Sequence, residues 1–237
     1  MRRASGQRRV DPQGGSPLPS YSSSFIIDPD ETILVTGASG FVGSRVVRTL
    51  LDFGFERVRC LTRPTSTSGN LDRIKGDLVG SHLEVIRGNL LSPETCRTAV
   101  AGVSAIYHLA AGVEKSYAGC FLNSVVTTRN LLEAAIIEPR LKRFVNVSSI
   151  AVYSNESIRR GGPLDESAPV DAGIVDRFEP YTYSKLKQDE IVLEYARNHH
   201  LPYVIVRPVV VFGPGKAKIT DRVGSDTFGV FLHKGLG

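Results

Sequence analysis

Residues 181–185 read Tyr-Thr-Tyr-Ser-Lys. On a helix, side chains four apart share a face and those two apart do not. Tyr181 therefore stacks over Lys185, and Tyr183 points elsewhere. An ammonium beside a phenol favours the phenolate. Such a pair suits acid–base work on a hydroxyl or carbonyl. The same spacing also arises by chance in surface pairs, so other residues must decide. A second stretch, "TGASGFVG" (36–43), spaces Gly37, Gly40 and Gly43 three apart. Between a buried strand and an amphipathic helix, such glycines bind a dinucleotide. Gly37 permits the sharp turn, Gly40 admits the pyrophosphate and Gly43 allows close helix packing. The amides at the helix start then hold the phosphates. At the end of the next strand, neutral Thr62 stands where an NAD site carries an acid, and Arg63 follows it. A guanidinium there suits a 2′-phosphate, which favours NADP(H) over NAD(H).

Alternating elements must position these residues. Apolar runs at 32–37, 57–62, 83–90, 104–111, 143–149 and 202–208 read as buried strands. Amphipathic stretches at 41–54, 92–102, 123–138 and 184–200 read as helices. Ser92 caps one of them, with Pro93 at its first position. Strands alternating with helices pair in parallel. Runs apolar on both faces belong to a sheet covered on both sides. The expected fold is α/β, a doubly wound sheet with ligands at the carboxyl ends of its strands.

The 237 residues fit one domain with some extra length. Hydrophobic residues make up 41% and charged ones 22%, a globular balance. The net charge of +5 is small and scattered, with Arg2, Arg3, Arg8 and Arg9 supplying much of it, which argues against a nucleic-acid partner. No apolar run reaches the roughly 20 residues of a membrane span. Cys60, Cys96 and Cys120 lie far apart and form no metal-ligand pair. They read as reduced thiols of a cytoplasmic protein. No metal site is expected. Residues 1–29, rich in Arg, Ser, Gly and Pro, read as a disordered tail, and 30–237 as the folded domain. The tail lacks a secretory apolar core, although its composition is also that of an organelle transit peptide.

Seven stretches then occur in one order: "TGASGFVG", "GNLL" (88–91), "YHLAA" (107–111), "NSVVTTRNLLEAA" (123–135), "VSSIAVYS" (147–154), "YTYSK" and "RPVVVFGPG" (207–215). In this the chain resembles the extended short-chain dehydrogenase/reductases, in particular the NAD-dependent epimerase/dehydratase group. The resemblance implies a Rossmann-type fold and a catalytic set of Ser149, Tyr181 and Lys185. Tyr181 is then the acid/base, Lys185 lowers its pKa and holds the nicotinamide ribose, and Ser149, rather than Ser148, bonds the substrate oxygen. It also implies that Ala38, Ser39, Phe41 and Val42 line the pyrophosphate with the glycines. Asn89, in place of a usual acid, and Leu90 would flank the adenine. Leu109, Ala110 and Ala111 would run along the nucleotide, and Pro208 to Val211 near the nicotinamide. Asn123 fits a structural role better than a proton relay. Tyr183 fits a packing role or the rim of the substrate site, and Tyr153 fits packing under the site. His108 reads as a strand residue rather than a ligand, and His199 and His200 complement a helix end.

The same resemblance implies a substrate lobe beyond "FGPG". Only 22 residues follow Gly215, enough for a loop and one helix, so that lobe is expected to be mostly absent. Loop 154–169, with Arg159 and Arg160, is expected to border the substrate. Three readings stay open: an epimerase, dehydratase or reductase on a nucleotide sugar; a carbonyl reductase on a small hydrophobic ketone; and a non-catalytic dinucleotide-binding module. A homodimer through helices 123–138 and 184–200 is expected from the resemblance.

Overall fold

The computed structural model describes residues 25–67, 69–76, 82–154, 162–170, 179–216, 224–227 and 230–233. Six parallel strands form its centre: β1 (Thr32–Thr36), β2 (Arg57–Thr62), β3 (His82–Arg87), β4 (Val103–His108), β5 (Arg143–Val147) and β6 (Tyr203–Val206). Their order is β3-β2-β1-β4-β5-β6, a doubly wound Rossmann-type sheet that reverses direction between β1 and β4. That reversal leaves a crevice at the carboxyl ends of β1 and β4, where such folds bind ligands.

Helices α1 (Phe41–Asp52), α2 (Gly69–Gly76) and α3 (Pro93–Val100) follow β1, β2 and β3. Ser92 caps α3 through Thr95 N, as its sequence predicts. After β4 come α4 (Tyr117–Cys120), a π-helical turn (Phe121–Val126) and α5 (Thr127–Ala135). The expected single helix 123–138 is thus interrupted. The wide turn misaligns its carbonyls, and hydroxyls take them up: Thr127 Oγ1 donates to Asn123 and Ser124 carbonyls, and Thr128 Oγ1 to that of Ser124. Helix α6 (Pro180–His199) starts at a Pro in its first position and ends on His200 at φ 55°. It therefore contains the whole Tyr181–Lys185 stretch. The C-terminal end forms an antiparallel hairpin, β7 (Gly224–Thr227) with β8 (Val230–His233), where a loop and one helix were expected.

Two apolar clusters cover the two faces of the sheet. One gathers Leu34, Ile106, Leu131, Leu132, Phe144 and Val192. The other gathers Ile33, Val35, Val47, Leu51, Val58 and Leu71. Ile27 joins the second, and Phe25 stacks on Phe55 with ring centres 5.1 Å apart, so the packed chain begins before residue 30. Burial pushes the Cys60 thiol up to about 12 and that of Cys96 to about 11, leaving both as protonated, inert core residues.

His108 is the polar exception in the core. Fully buried at the end of β4, it bonds Thr36 Oγ1 through Nδ1 (2.7 Å) and Thr128 Oγ1 through Nε2 (2.8 Å). It thereby ties β1 to α5. Burial, aided by nearby Lys185, holds its pKa down to about 3. The unfolded chain therefore takes up a proton near pH 6.5 that the folded chain refuses. Stability is present above that pH and is lost as pH falls toward 3. Between about pH 6.5 and 5 this one group removes about 2 kcal/mol. Urea unfolding across that range should show this slope in the wild type and a shallower one in His108→Gln.

Candidate active site

The glycine turn builds one half of the site. Gly37 adopts φ +67°, and a Cβ there would lie 2.9 Å from Ala110 N. A Cβ on Gly43 would lie 2.1 Å from the Gly37 carbonyl oxygen, so only glycine lets α1 press on the turn. Gly40 precedes α1 without a side-chain cap, which leaves the first-turn amides facing outward. These are the backbone requirements for holding a pyrophosphate. The cleft beside them is lined by Gly37, Ser39, Gly40, Arg63, Asn89, Leu90, Leu109, Ala110 and Ala111 among the residues expected from sequence. Leu61, Thr62, Ser66, Gly88, Asn123 and Thr127 complete it. None of these lining residues is acidic. Arg63 is exposed, while Thr62 is buried.

Other expected residues lie elsewhere. Ala38 and Gly43 are buried behind the turn, with Ala38 in the core. Phe41 and Val42 are half-buried in the first turn of α1. The Phe41 ring lies under the Arg45 guanidinium at 3.7 Å, and Arg45 also donates to the Pro214 carbonyl. Pro208 and Val211 follow β6 rather than line this cleft. The Pro208 carbonyl accepts from Ile150 N at 3.1 Å, one residue from Ser149.

Helix α6 builds the other half. Its inward stripe begins polar, with Ser184, Lys185, Gln188 and Asp189, and turns apolar at Ile191 and Val192. Asp189 is the anchor. It accepts from Asn146 Nδ2 and Ser148 Oγ, both at 2.9 Å, and from Arg207 Nη2 at 3.1 Å. Three residues thus fix α6 to the carboxyl ends of β5 and β6, Arg207 through both Nη2 and Nε. Arg207 in turn donates to Tyr153 Oη at 2.8 Å, so Tyr153 packs beside the site as expected. Burial pushes the Asp189 carboxyl upward, opposed by Ser148, Arg207 and Lys185.

One turn earlier, Lys185 is 3% exposed. Its amine donates to the Val147 carbonyl at 2.6 Å and to Gln188 Oε1 at 2.9 Å. Burial holds its pKa down to about 8, and Asp189 opposes that fall. Tyr181 occupies the first turn of α6, half-buried on the same face. Ser149 follows Ser148 directly. Its Oγ accepts from Ala151 N at 3.2 Å and caps the short 3-10 turn Ile150–Val152. Ser148 instead holds Asp189, so the two serines have separate partners. Tyr183 packs edge-on against Tyr117 at 5.5 Å, away from Lys185.

Sequence reasoning missed Asp189, Gln188, Thr128 and Ser124. Ser124 faces the buried side and accepts from Gly112 N at 2.9 Å, while Asn123 donates to Glu114 at 2.6 Å. The signal was a polar stripe, 184/185 and 188/189, in register with the apolar pair 191/192. Loop residues 155–160, with Arg159 and Arg160, lie outside the described residues, as does the tail 1–24. No group of His, Cys, Asp and Glu among the described residues is arranged to hold a metal. No described helix is long and apolar enough to cross a membrane.

Known proteins resemble this chain in sequence and in fold. Cinnamoyl-CoA reductase 2 of Medicago truncatula is 28% identical over 201 residues, which cover 83% of this chain and 59% of the reductase. The UDP-glucuronic acid 4-epimerase of Bacillus cereus, solved with NAD, superposes with a TM-score of 0.62 at 29% identity, over 77% of this chain and 57% of the epimerase. The dTDP-glucose 4,6-dehydratase DesIV of Streptomyces venezuelae, a double mutant solved with NAD, gives 0.63 at 28% identity, over 74% and 54%. The chain thus spans little more than half the length of these proteins. Its similar proteins include epimerases, dehydratases and reductases. Residues 33–228 match the family model as well, and the chain belongs to the NAD dependent epimerase/dehydratase family.

Proposed function

We propose that the chain is an NAD(P)-dependent enzyme that moves hydride to or from a carbinol or carbonyl carbon, with a nucleotide sugar as substrate. The observation that carries this reading is the buried Lys185 amine, one turn from Tyr181 and bonded to the Val147 carbonyl, two residues before Ser149, at the carboxyl end of β5. The bound nicotinamide supplies the hydride chemistry. Tyr181 exchanges a proton with the substrate oxygen. Lys185 stabilises the phenolate and bonds the nicotinamide ribose. Ser149 donates to the substrate oxygen as alkoxide charge develops. Ala38, Phe41, Val42, Gly43, Pro208 and Val211 remain assigned to the cofactor through backbone or flanking contacts, and the cleft-lining residues through direct ones. Exposed Arg63, with no acid in the described lining, favours NADP(H) over NAD(H). We place the enzyme in the cytoplasm as a homodimer, packed through α5 and α6.

A second reading is a carbonyl reductase on a small hydrophobic ketone. The similarity to cinnamoyl-CoA reductase supports it. So do Val209 and Phe212, exposed on the segment that begins beside Ser149. NADPH oxidation against panels of sugar nucleotides and of aryl or alkyl ketones separates the two readings.

Tyr181→Phe should lower turnover by about 10²- to 10⁴-fold while cofactor affinity stays nearly intact. Undiminished turnover in that variant contradicts the acid–base role. In binding titrations, Arg63→Ala should weaken NADP⁺ by about tenfold or more and leave NAD⁺ almost unchanged. Equal losses for both cofactors contradict the assignment of Arg63 to a 2′-phosphate.

A further inference from the structure

A continuous chain of buried hydrogen bonds leaves the Lys185 amine on the side away from solvent. Lys185 can only donate, so the amide oxygen of Gln188 must face it, at 2.9 Å. The amide nitrogen then points the other way and donates to Thr128 Oγ1 at 2.7 Å. The single Thr128 hydroxyl proton goes to the Ser124 carbonyl. Its lone pairs therefore accept from Gln188 and from His108 Nε2. That fixes the His108 tautomer: Nε2 carries the proton, and Nδ1 accepts from Thr36. The Thr36 oxygen is left to accept from Ala110 N at 3.2 Å, in the wall of the cleft. Gln188, Thr128, His108 and Thr36 are all fully buried.

We propose that Gln188 is a positioning residue that joins Lys185 to the wall of the dinucleotide cleft. Its amide oxygen orients the amine. Its amide nitrogen, through Thr128 and His108, orients the Thr36 hydroxyl under Ala110. Only an amide meets both demands. A carboxylate at 188 has no donor for Thr128, and an aliphatic side chain serves neither partner. The link to the cleft rests on the dinucleotide reading above; the effect on the amine does not.

The amine is faced by Asp189 on its own helix, neutral His108 on β4 and Tyr181 one turn before it, with Arg207 behind Asp189. The test is a pH titration of the Lys185 side chain by NMR in the whole protein carrying ¹³C-labelled lysine, with Lys185→Arg identifying the resonance. Binding titrations with NAD⁺ and NADP⁺ run alongside. The wild-type midpoint is expected near 8. Isosteric Gln188→Glu should raise it by about one pH unit or more, because a negative charge then faces the ammonium. Gln188→Leu should lower it, and both variants should bind the preferred dinucleotide several-fold more weakly. Unmoved midpoints in folded Gln188→Glu overturn the proposal, even if thermal stability falls. Midpoints that move while the wild type binds neither dinucleotide sink the cleft reading and with it the link to Ala110. Normal wild-type binding with unmoved midpoints sinks only the role of Gln188.

Discussion

A buried amine constrains this structure more than any other group. A primary ammonium out of water must have its donors met, or it sheds its proton. Lys185 meets two of them inside the protein, on the Val147 carbonyl and on Gln188. Gln188 lies one turn further along α6 itself, but the Val147 carbonyl is within reach only if α6 lies across the carboxyl end of β5 in one register. A sideways step of α6 by one residue would turn Lys185 outward and bring its neighbour against the sheet.

Asp189 enforces that register. Its bonds to Asn146, Ser148 and Arg207 join α6 to β5 and to the chain after β6. Removing any one partner would leave a buried charge poorly compensated, which destabilises strongly. The same clamp places Ser149 beside the helix, because Ser148 is held and the chain turns immediately after it. On the far side, His108 and Thr36 tie β4 to the base of the glycine turn. The two halves of the site are therefore connected through the core, and the crevice between them follows from the strand order.

Much of this was legible in the residues. Mostly apolar runs such as those of β1 and β4 marked strands in the right places, because a sheet covered on both faces favours apolar side chains on both. The glycine spacing was legible because a side chain at Gly43 would collide with backbone. Helix α2 was not, since Gly69–Gly76 is short, polar and flanked by glycine. The π-helical turn was hidden as well, because it depends on hydroxyls of Thr127 and Thr128 that also fit a regular helix. The start of α6 was placed four residues late. Pro180 marks it, and the polar inward face of Ser184 to Asp189 disguised a buried surface as a solvated one. Phe25 and Ile27 were assigned to the tail, because two apolar side chains carry no periodicity from which packing can be read.

The most direct measurement is a crystal structure with NADP⁺ bound. The account predicts the pyrophosphate on the amides of Gly40 and the first turn of α1, and the nicotinamide ribose hydroxyls within hydrogen-bond distance of Lys185 Nζ and Tyr181 Oη. A dinucleotide seated elsewhere, or a ribose turned away from Lys185 while the glycine turn stays empty, would contradict it.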